Sequence, residues 1–355
     1  MQFVRESIFV SAVRSFFNSF LAVLGVALAI GIFAMIVGAF SPAYQSRDDY
    51  IEMHILPNAK GDNAILSENS PVILQIDITG IIGMKHLVAE TIESFLRISQ
   101  KGILKNNRVK AILLNIDTPG GTAIDSDLIT QAIMQYKEEF KIPVFAYTPG
   151  ICASGGYMIA CSADKIYASP SSIVGSVGAK WGLGFNFWQF MQTHGIDSVT
   201  IAEGLYKEKY PTFTKAENGT SSYNDLIAIV QEGYTQFIDL VAKSRESRGL
   251  TADVLRHSCG AQVYTGPAGQ KLGYVDNGNA YYKEALADLV KEAHLDSTPY
   301  QVIKFDYKHS PLQELVSNKL SLWIEEAESN LLGTKLQGKL NNTLLYHYDT
   351  QDRLK

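Results

Sequence analysis

Ala111-Ile112-Leu113-Leu114-Asn115-Ile116 is an apolar run that breaks at Asp117-Thr118-Pro119-Gly120-Gly121. A helical pattern follows over residues 123–140, and then a second apolar run, Val144-Phe145-Ala146-Tyr147. A strand apolar on both of its faces, a turn, a helix and another such strand form a βαβ unit, whose strands lie side by side and parallel in a covered sheet. The unit extends in both directions. Before it, Val72-Ile73-Leu74-Gln75-Ile76-Asp77-Ile78 reads as a strand and residues 87–99 as an amphipathic helix with Val88, Ile92, Phe95 and Leu96 on one side. After it, residues 165–168 and 199–202 are short strand candidates, residues 221–247 and 281–293 are helical, and residues 311–332 read as an amphipathic helix. The fold class is α/β with a mainly parallel sheet.

The N-terminal region has a different solvent in mind. Residues 20–40 carry no charge, long enough for one helical crossing of a hydrocarbon core of about 30 Å. The length favours an uncleaved anchor over a signal peptide, whose apolar region is roughly 7–15 residues, although Ser41-Pro42-Ala43 has the small-x-small form of a cleavage site. Arg5 and Arg14 flank one end, Arg47 and Lys60 the other. The nearness of Arg14 tilts the segment towards N-terminus in, with the bulk of the chain outside the cytoplasm. Residues 1–19 then form an N-terminal cytoplasmic segment, 20–40 a transmembrane helix, 41–70 a pattern-poor linker, 71–300 the main domain, and 301–355 a C-terminal helix and tail.

Composition excludes some functions. A net charge of −5 over 355 residues, without long basic runs, argues against a nucleic-acid partner. Cys152, Cys161 and Cys259 follow no metal spacing and, being three, cannot form a complete disulfide framework. They read as small buried residues. Neither a metal nor an organic cofactor is implied.

Ser154 lies in Ala153-Ser154-Gly155-Gly156-Tyr157, where the chain passes from apolar run to helix. Flanking glycines at such a turn hold a hydroxyl clear of its own backbone and admit a substrate chain. The same pattern also fits a plain helix cap. A serine nucleophile needs a base. His194 and His257 have no recognisable partner motif and read as helix-end or surface residues. Lys207 lies beside the apolar-aromatic segment Tyr210-Pro211-Thr212-Phe213, and a lysine kept neutral by desolvation can act as a base. Taken alone it reads as a solvated loop lysine, the commoner case, since lysine is almost never fully buried. Gly120 and Gly121 could aim backbone N–H groups at a developing oxyanion, or form an ordinary Pro-Gly turn.

Taken together, Asp117-Thr118-Pro119-Gly120-Gly121, Ala153-Ser154-Gly155-Gly156-Tyr157, Ala163-Asp164-Lys165-Ile166-Tyr167-Ala168, Val174-Gly175-Ser176-Val177-Gly178 and Tyr206-Lys207 resemble the signal peptide peptidase A family, single-domain type, in order and spacing. The resemblance covers residues 72–290. It implies a ClpP/crotonase-like spiral of βαβ units assembled into a ring-shaped homo-oligomer. It also implies a serine endopeptidase in which Ser154 is the nucleophile, Lys207 the general base, Gly120 or Gly121 the oxyanion donor and Ser176 a support for the lysine amine. Implied partners are the lipid membrane and peptide substrates, namely signal peptides and membrane-associated segments. The implied place is the inner membrane, with the catalytic domain on the periplasmic side. Lys209 departs from the family pattern and is a rival base. The aromatics Trp181, Phe185, Phe187 and Trp188 are expected to pack rather than line a groove. Three alternatives share these features in part: an acyl-CoA enzyme, a membrane-tethered scaffold without catalysis, and a protease of membrane-protein stalks.

Overall fold

The computed structural model describes residues 8–40, 51–63, 65–67, 69–84, 86–181, 186–199, 203, 213 and 221–307. It divides into two units, residues 1–50 and 51–355.

The first unit is one helix, α1 (Ile8–Phe40). It starts well before the uncharged stretch, because Phe16, Phe17 and their neighbours continue the helical run. Its Val13–Ile32 segment is long and apolar enough to cross a membrane. Twenty residues at about 1.5 Å each span the roughly 30 Å of a bilayer core.

The second unit is built on a six-stranded sheet in the order β1 (Ile51–Leu56), β9 (Gln301–Tyr307), β2 (Val72–Thr79), β3 (Val109–Asp117), β4 (Val144–Thr148) and β6 (Lys165–Ala168). All neighbours are parallel except β1 and β9. Both faces of the sheet are covered. Leu74, Ile76, Ile112, Leu114, Val144 and Ala146 face a core shared with α2 (Ala89–Ile98), α3 (Ala123–Phe140), α4 (Gly155–Ala160) and α6 (Ser221–Arg245). Their sequence neighbours Ile73, Leu113 and Phe145 face a second core under α9 (Tyr282–Glu292). This two-residue alternation between two apolar environments explains why the strands read as unbroken apolar runs.

A second, three-stranded sheet joins β5 (Ile151–Ala153), β7 (Ile173–Gly175) and β8 (Val263–Thr265). Among the described residues the remaining α-helices are α5 (Trp188–Thr193), α7 (Ala252–Val254), which continues as a π-helical turn, and α8 (Gly266–Leu272).

Two stretches differ from the sequence reading. The segment 41–70, expected as linker, contains β1, and the region 301–355, expected as helix and tail, opens with β9. An edge strand is covered on one side only, so Ile51-Glu52-Met53-His54-Ile55-Leu56 lacks the apolar density of β2–β4. Residues 200–202 of the 199–202 strand candidate and the helix expected at 311–332 lie outside the described residues, and Val199 is exposed and outside any strand.

Candidate active site

The site is assembled where β3 and β5 end. Backbone hydrogen bonds zip the two motif segments together. Thr118 N–H donates to the Ile151 carbonyl at 2.6 Å and Ala153 N–H donates to the Thr118 carbonyl at 3.2 Å. The Asp117 carboxylate accepts the Ile151 N–H at 2.8 Å. A Cβ on Gly150 would come 2.4 Å from that carboxylate, so a side chain there would push Asp117 off its bond to Ile151.

Ser154 sits between β5 and α4 with φ 52° and ψ −123°. A non-glycine residue held there stores about 1–3 kcal/mol of strain. Six non-glycine residues among those described have positive φ, and Ser154 and Ser176 are two of them. They lie on adjacent strand ends, for Ala153 pairs with Gly175, and Ser154 N–H donates to the Gly175 carbonyl at 2.9 Å. Ser176 N–H donates to Gln262 O at 2.8 Å, which ties its turn to β8.

Gly120, at φ 101°, presses against the serine turn. A Cβ at this position would stand 2.7 Å from Ser154 Cβ and 2.9 Å from Gly155 N. Its own N–H donates to Thr118 Oγ1 at 3.0 Å. Gly121 packs on Ile82, whose carbonyl would be 2.0 Å from an added Cβ. The flanking groups make that bridge: Ile82 N–H to Gly120 O and Thr122 N–H to Ile82 O, both 3.0 Å. Bridge geometry leaves the N–H of Gly121 on the opposite edge. It has no hydrogen bond among the described residues.

The serine helix is packed flat. A Cβ on Gly155 would meet Ser126 Oγ at 2.1 Å, and one on Gly156 would meet Thr118 Cγ2 at 2.4 Å. Tyr157 is fully buried and donates its hydroxyl to the Tyr274 carbonyl at 2.8 Å. Gly155 N–H, at the first position of α4, is a donor that the sequence reading did not single out. Its signal was positional: it follows the candidate nucleophile directly.

The structure therefore brings together Ser154, Gly120 and the Ser176 turn, with Gly121 adjoining. Lys207, Tyr206 and the rival Lys209 lie outside the described residues, as does Phe185. The two histidines are where a surface reading puts them. His257 Nδ1 pairs with Asp253 at 2.9 Å in the open, and His194 Nδ1 contacts the Phe190 carbonyl at 2.8 Å at the end of α5. All three cysteines are free and buried. Burial raises the Cys152 thiol well above its usual range and pushes Cys161 up to about 12. Both therefore stay protonated and poorly reactive. Phe187 stacks on Phe213 at 6.3 Å, yet both remain about half exposed, as does Trp181. Exposed Ile81, Met84, Ile151 and Ile173 stand on the loops and strands that carry the site, and exposed Ile124 on the first turn of α3.

A covered α/β sheet carrying a strained serine against a glycine turn has known relatives. Residues 137–296 match the model of Peptidase family S49. The chain is 33% identical over 172 residues to a putative protease of Methanocaldococcus jannaschii, covering 48% of this chain and 53% of the relative. It is 30% identical to a putative protease of Synechocystis over 58% of this chain and 68% of the relative. It is 27% identical to a putative signal peptide peptidase SppA of Enterococcus faecium over 63% and 62% respectively. The chain belongs to peptidase family S49, as its motifs imply. It spans about half the length of the first of these relatives. Among solved structures, a mutant of the 1510-N membrane-bound stomatin-specific protease aligns with a TM-score of 0.37 and 21% identity, covering 64% of this chain and 86% of that one. A ClpP1 mutant from Listeria monocytogenes aligns at 0.38 and 14%, covering 60% and 94%.

Proposed function

We propose that this chain is a membrane-anchored serine endopeptidase that cleaves signal peptides or other extended hydrophobic segments. One observation carries the reading: Ser154 is held at φ 52° on a strand-to-helix turn, with the backbone of Gly120 against its Cβ. Such a conformation is maintained against strain by its surroundings, and it is the geometry of an exposed nucleophile. In the proposed reaction neutral Lys207 takes the Ser154 proton as the serine oxygen attacks the scissile carbonyl. Ser176 steadies the lysine amine. A backbone N–H of the Gly120-Gly121 turn, joined by that of Gly155, receives the oxyanion. The amine leaves with the proton from Lys207, and water then attacks the acyl-enzyme with Lys207 again as base. The exposed aliphatic residues around the turn suit hydrophobic substrates.

In this reading α1 anchors the protein in the inner membrane with its N-terminus in the cytoplasm, and the catalytic unit works on the periplasmic side. A ring of protomers would enclose the serines and admit only extended segments.

The test is hydrolysis of a hydrophobic fluorogenic peptide by the full chain in detergent, compared with Ser154→Ala and Lys207→Ala. Each variant should lose at least about 10⁴-fold in kcat, in line with removal of a nucleophile or its base. Wild-type activity should rise with pH through an apparent pKa below the roughly 10.4 of a free lysine. Hydrolysis that survives Ser154→Ala would reject the assignment.

A further inference from the structure

We infer that Thr118 is a positioning residue for the oxyanion site, and that its hydroxyl assigns the oxyanion to the N–H groups of Gly121 and Gly155 by occupying that of Gly120. This rests on the serine-peptidase reading and adds to it a division of labour among the three amides.

Thr118 is fully buried and bonds both to β5 and to the glycine turn. Its N–H and carbonyl bond β5 on either side of Cys152, at 2.6 and 3.2 Å. Its hydroxyl reaches two residues along the chain and accepts the Gly120 N–H at 3.0 Å. Its methyl group lies where a side chain on Gly156 would have to go, 2.4 Å from the Cβ position. One side chain thus fixes the glycine turn to the first turn of the serine helix.

The hydroxyl has a consequence for chemistry. A backbone amide has one proton, and a donor already bonded within the protein at 3.0 Å cannot also be aimed at an oxyanion. Gly121 is different. Its position is set by the Ile82 bridge on one edge, and its N–H is left on the other. Gly155 N–H, at the first helical position, needs no partner within its own helix. Its nitrogen lies 2.9 Å from the Cβ position of Gly120, which places it on the seam between the two turns. A side chain that locks the intervening amide therefore sets the spacing of the two that remain. Misplacement on the order of 1 Å can cost about 10²-fold in rate.

A residue that merely stabilised the turn would affect folding and leave the chemistry of folded molecules alone. The two roles separate in Thr118→Val, which keeps the shape and removes the hydroxyl, and Thr118→Ser, which keeps the hydroxyl and removes the methyl. The full chain in detergent is assayed with the hydrophobic peptide well below each variant's melting midpoint, with Ser154→Ala alongside. Thr118→Val should lower kcat by about 10–100-fold while KM moves by less than about threefold. Thr118→Ser should stay within about threefold of wild type in both. Equal kcat in Thr118→Val and wild type, or equal losses in the valine and serine variants, would overturn the inference. If wild type and Ser154→Ala do not differ, the peptidase reading itself falls and takes this one with it. Loss in Ser154→Ala with full activity in Thr118→Val removes the role of Thr118 alone.

Discussion

The two sheets of the main unit are made in different ways. In the six-stranded sheet, β2 and β3 run for eight and nine residues and are buried on both faces. In the three-stranded sheet each strand has three residues. Two of those strands run straight into positive φ, at Ser154 after β5 and at Gly175 and Ser176 at the end of β7. Its outer face leaves Ile151, Ile173 and Val263 exposed. The large sheet holds its stability in side chains removed from water. The small sheet holds geometry in its backbone, where residue identity answers to φ and to close contact rather than to hydrophobicity. Changes in the one should cost stability and spare chemistry; changes in the other should do the reverse.

The sharpest break of that contrast is Gly120→Ala, in the turn after β3 that packs on the Ser154 end of the small sheet. The added methyl group would meet Ser154 Cβ at 2.7 Å and backbone atoms at 2.9 and 3.0 Å, at a φ of 101° that side chains avoid. Peptidase activity should fall by more than about 10²-fold. Stability should fall by at least about 1–3 kcal/mol, the cost of one strained residue, with the overlap added to it. Activity assays paired with urea melts measure both, and an active Gly120→Ala enzyme would mean that the contact with Ser154 is not part of the site.

The reverse case is Leu114→Ala. Leu114 is fully buried in β3, flanked in register by Ile76 and Ala146. Truncation should cost about 2–5 kcal/mol of unfolding free energy, with kcat per folded molecule unchanged. A large change in kcat would show that the core and the site are not separable.

A smaller effect should appear at the nucleophile itself. If Ser154 stores strain, Ser154→Gly should be more stable than Ser154→Ala by about 1 kcal/mol, because glycine adopts φ 52° freely while alanine keeps the strain. Both variants should be inactive. Alanine equal to or more stable than glycine would remove strain from the account of the site.

The same contrast governs what could be read from the residues. The strands β2, β3, β4 and β6 and the helix α3 are legible because each is long or apolar enough to carry a period, and α3 occupies the expected 123–140. The strands β5, β7 and β8 are three residues each, too short for any period; β1 lies at the edge, where only part of the surface is covered, and in β9 Lys304 and Asp306 interrupt the apolar run. At the site, the motifs singled out Ser154, Gly120 and Ser176, which the fold brings to neighbouring turns. Gly155 was not singled out because the group it offers is a backbone amide, with no side chain to signal it. The engagement of Gly120 N–H by Thr118 was equally invisible, since Thr118-Pro119-Gly120 has the composition of any Pro-Gly turn.

The smallest expected effect tests the large sheet at its polar end. Lys304 on β9 bonds Asp306 at 2.7 Å and Asp77 at 3.2 Å. Burial lowers its pKa, but the two carboxylates outweigh that and leave it above the usual 10.5. A group whose pKa is raised on folding contributes stability that is complete below its unfolded value and disappears as pH climbs through its folded one. Lys304→Met should therefore be less stable than wild type at neutral pH by about 0.5–1 kcal/mol, a value kept low because a quarter of the side chain meets solvent. The gap should persist up to about pH 10 and close above it. Asp77 would still accept from Gln75 at 2.6 Å and Asn115 at 3.0 Å, so the variant keeps its fold. Urea midpoints of the two proteins at pH 7 and at pH 11 decide the matter, and a gap that widens with pH would mean that the ammonium is not what holds this corner of the sheet.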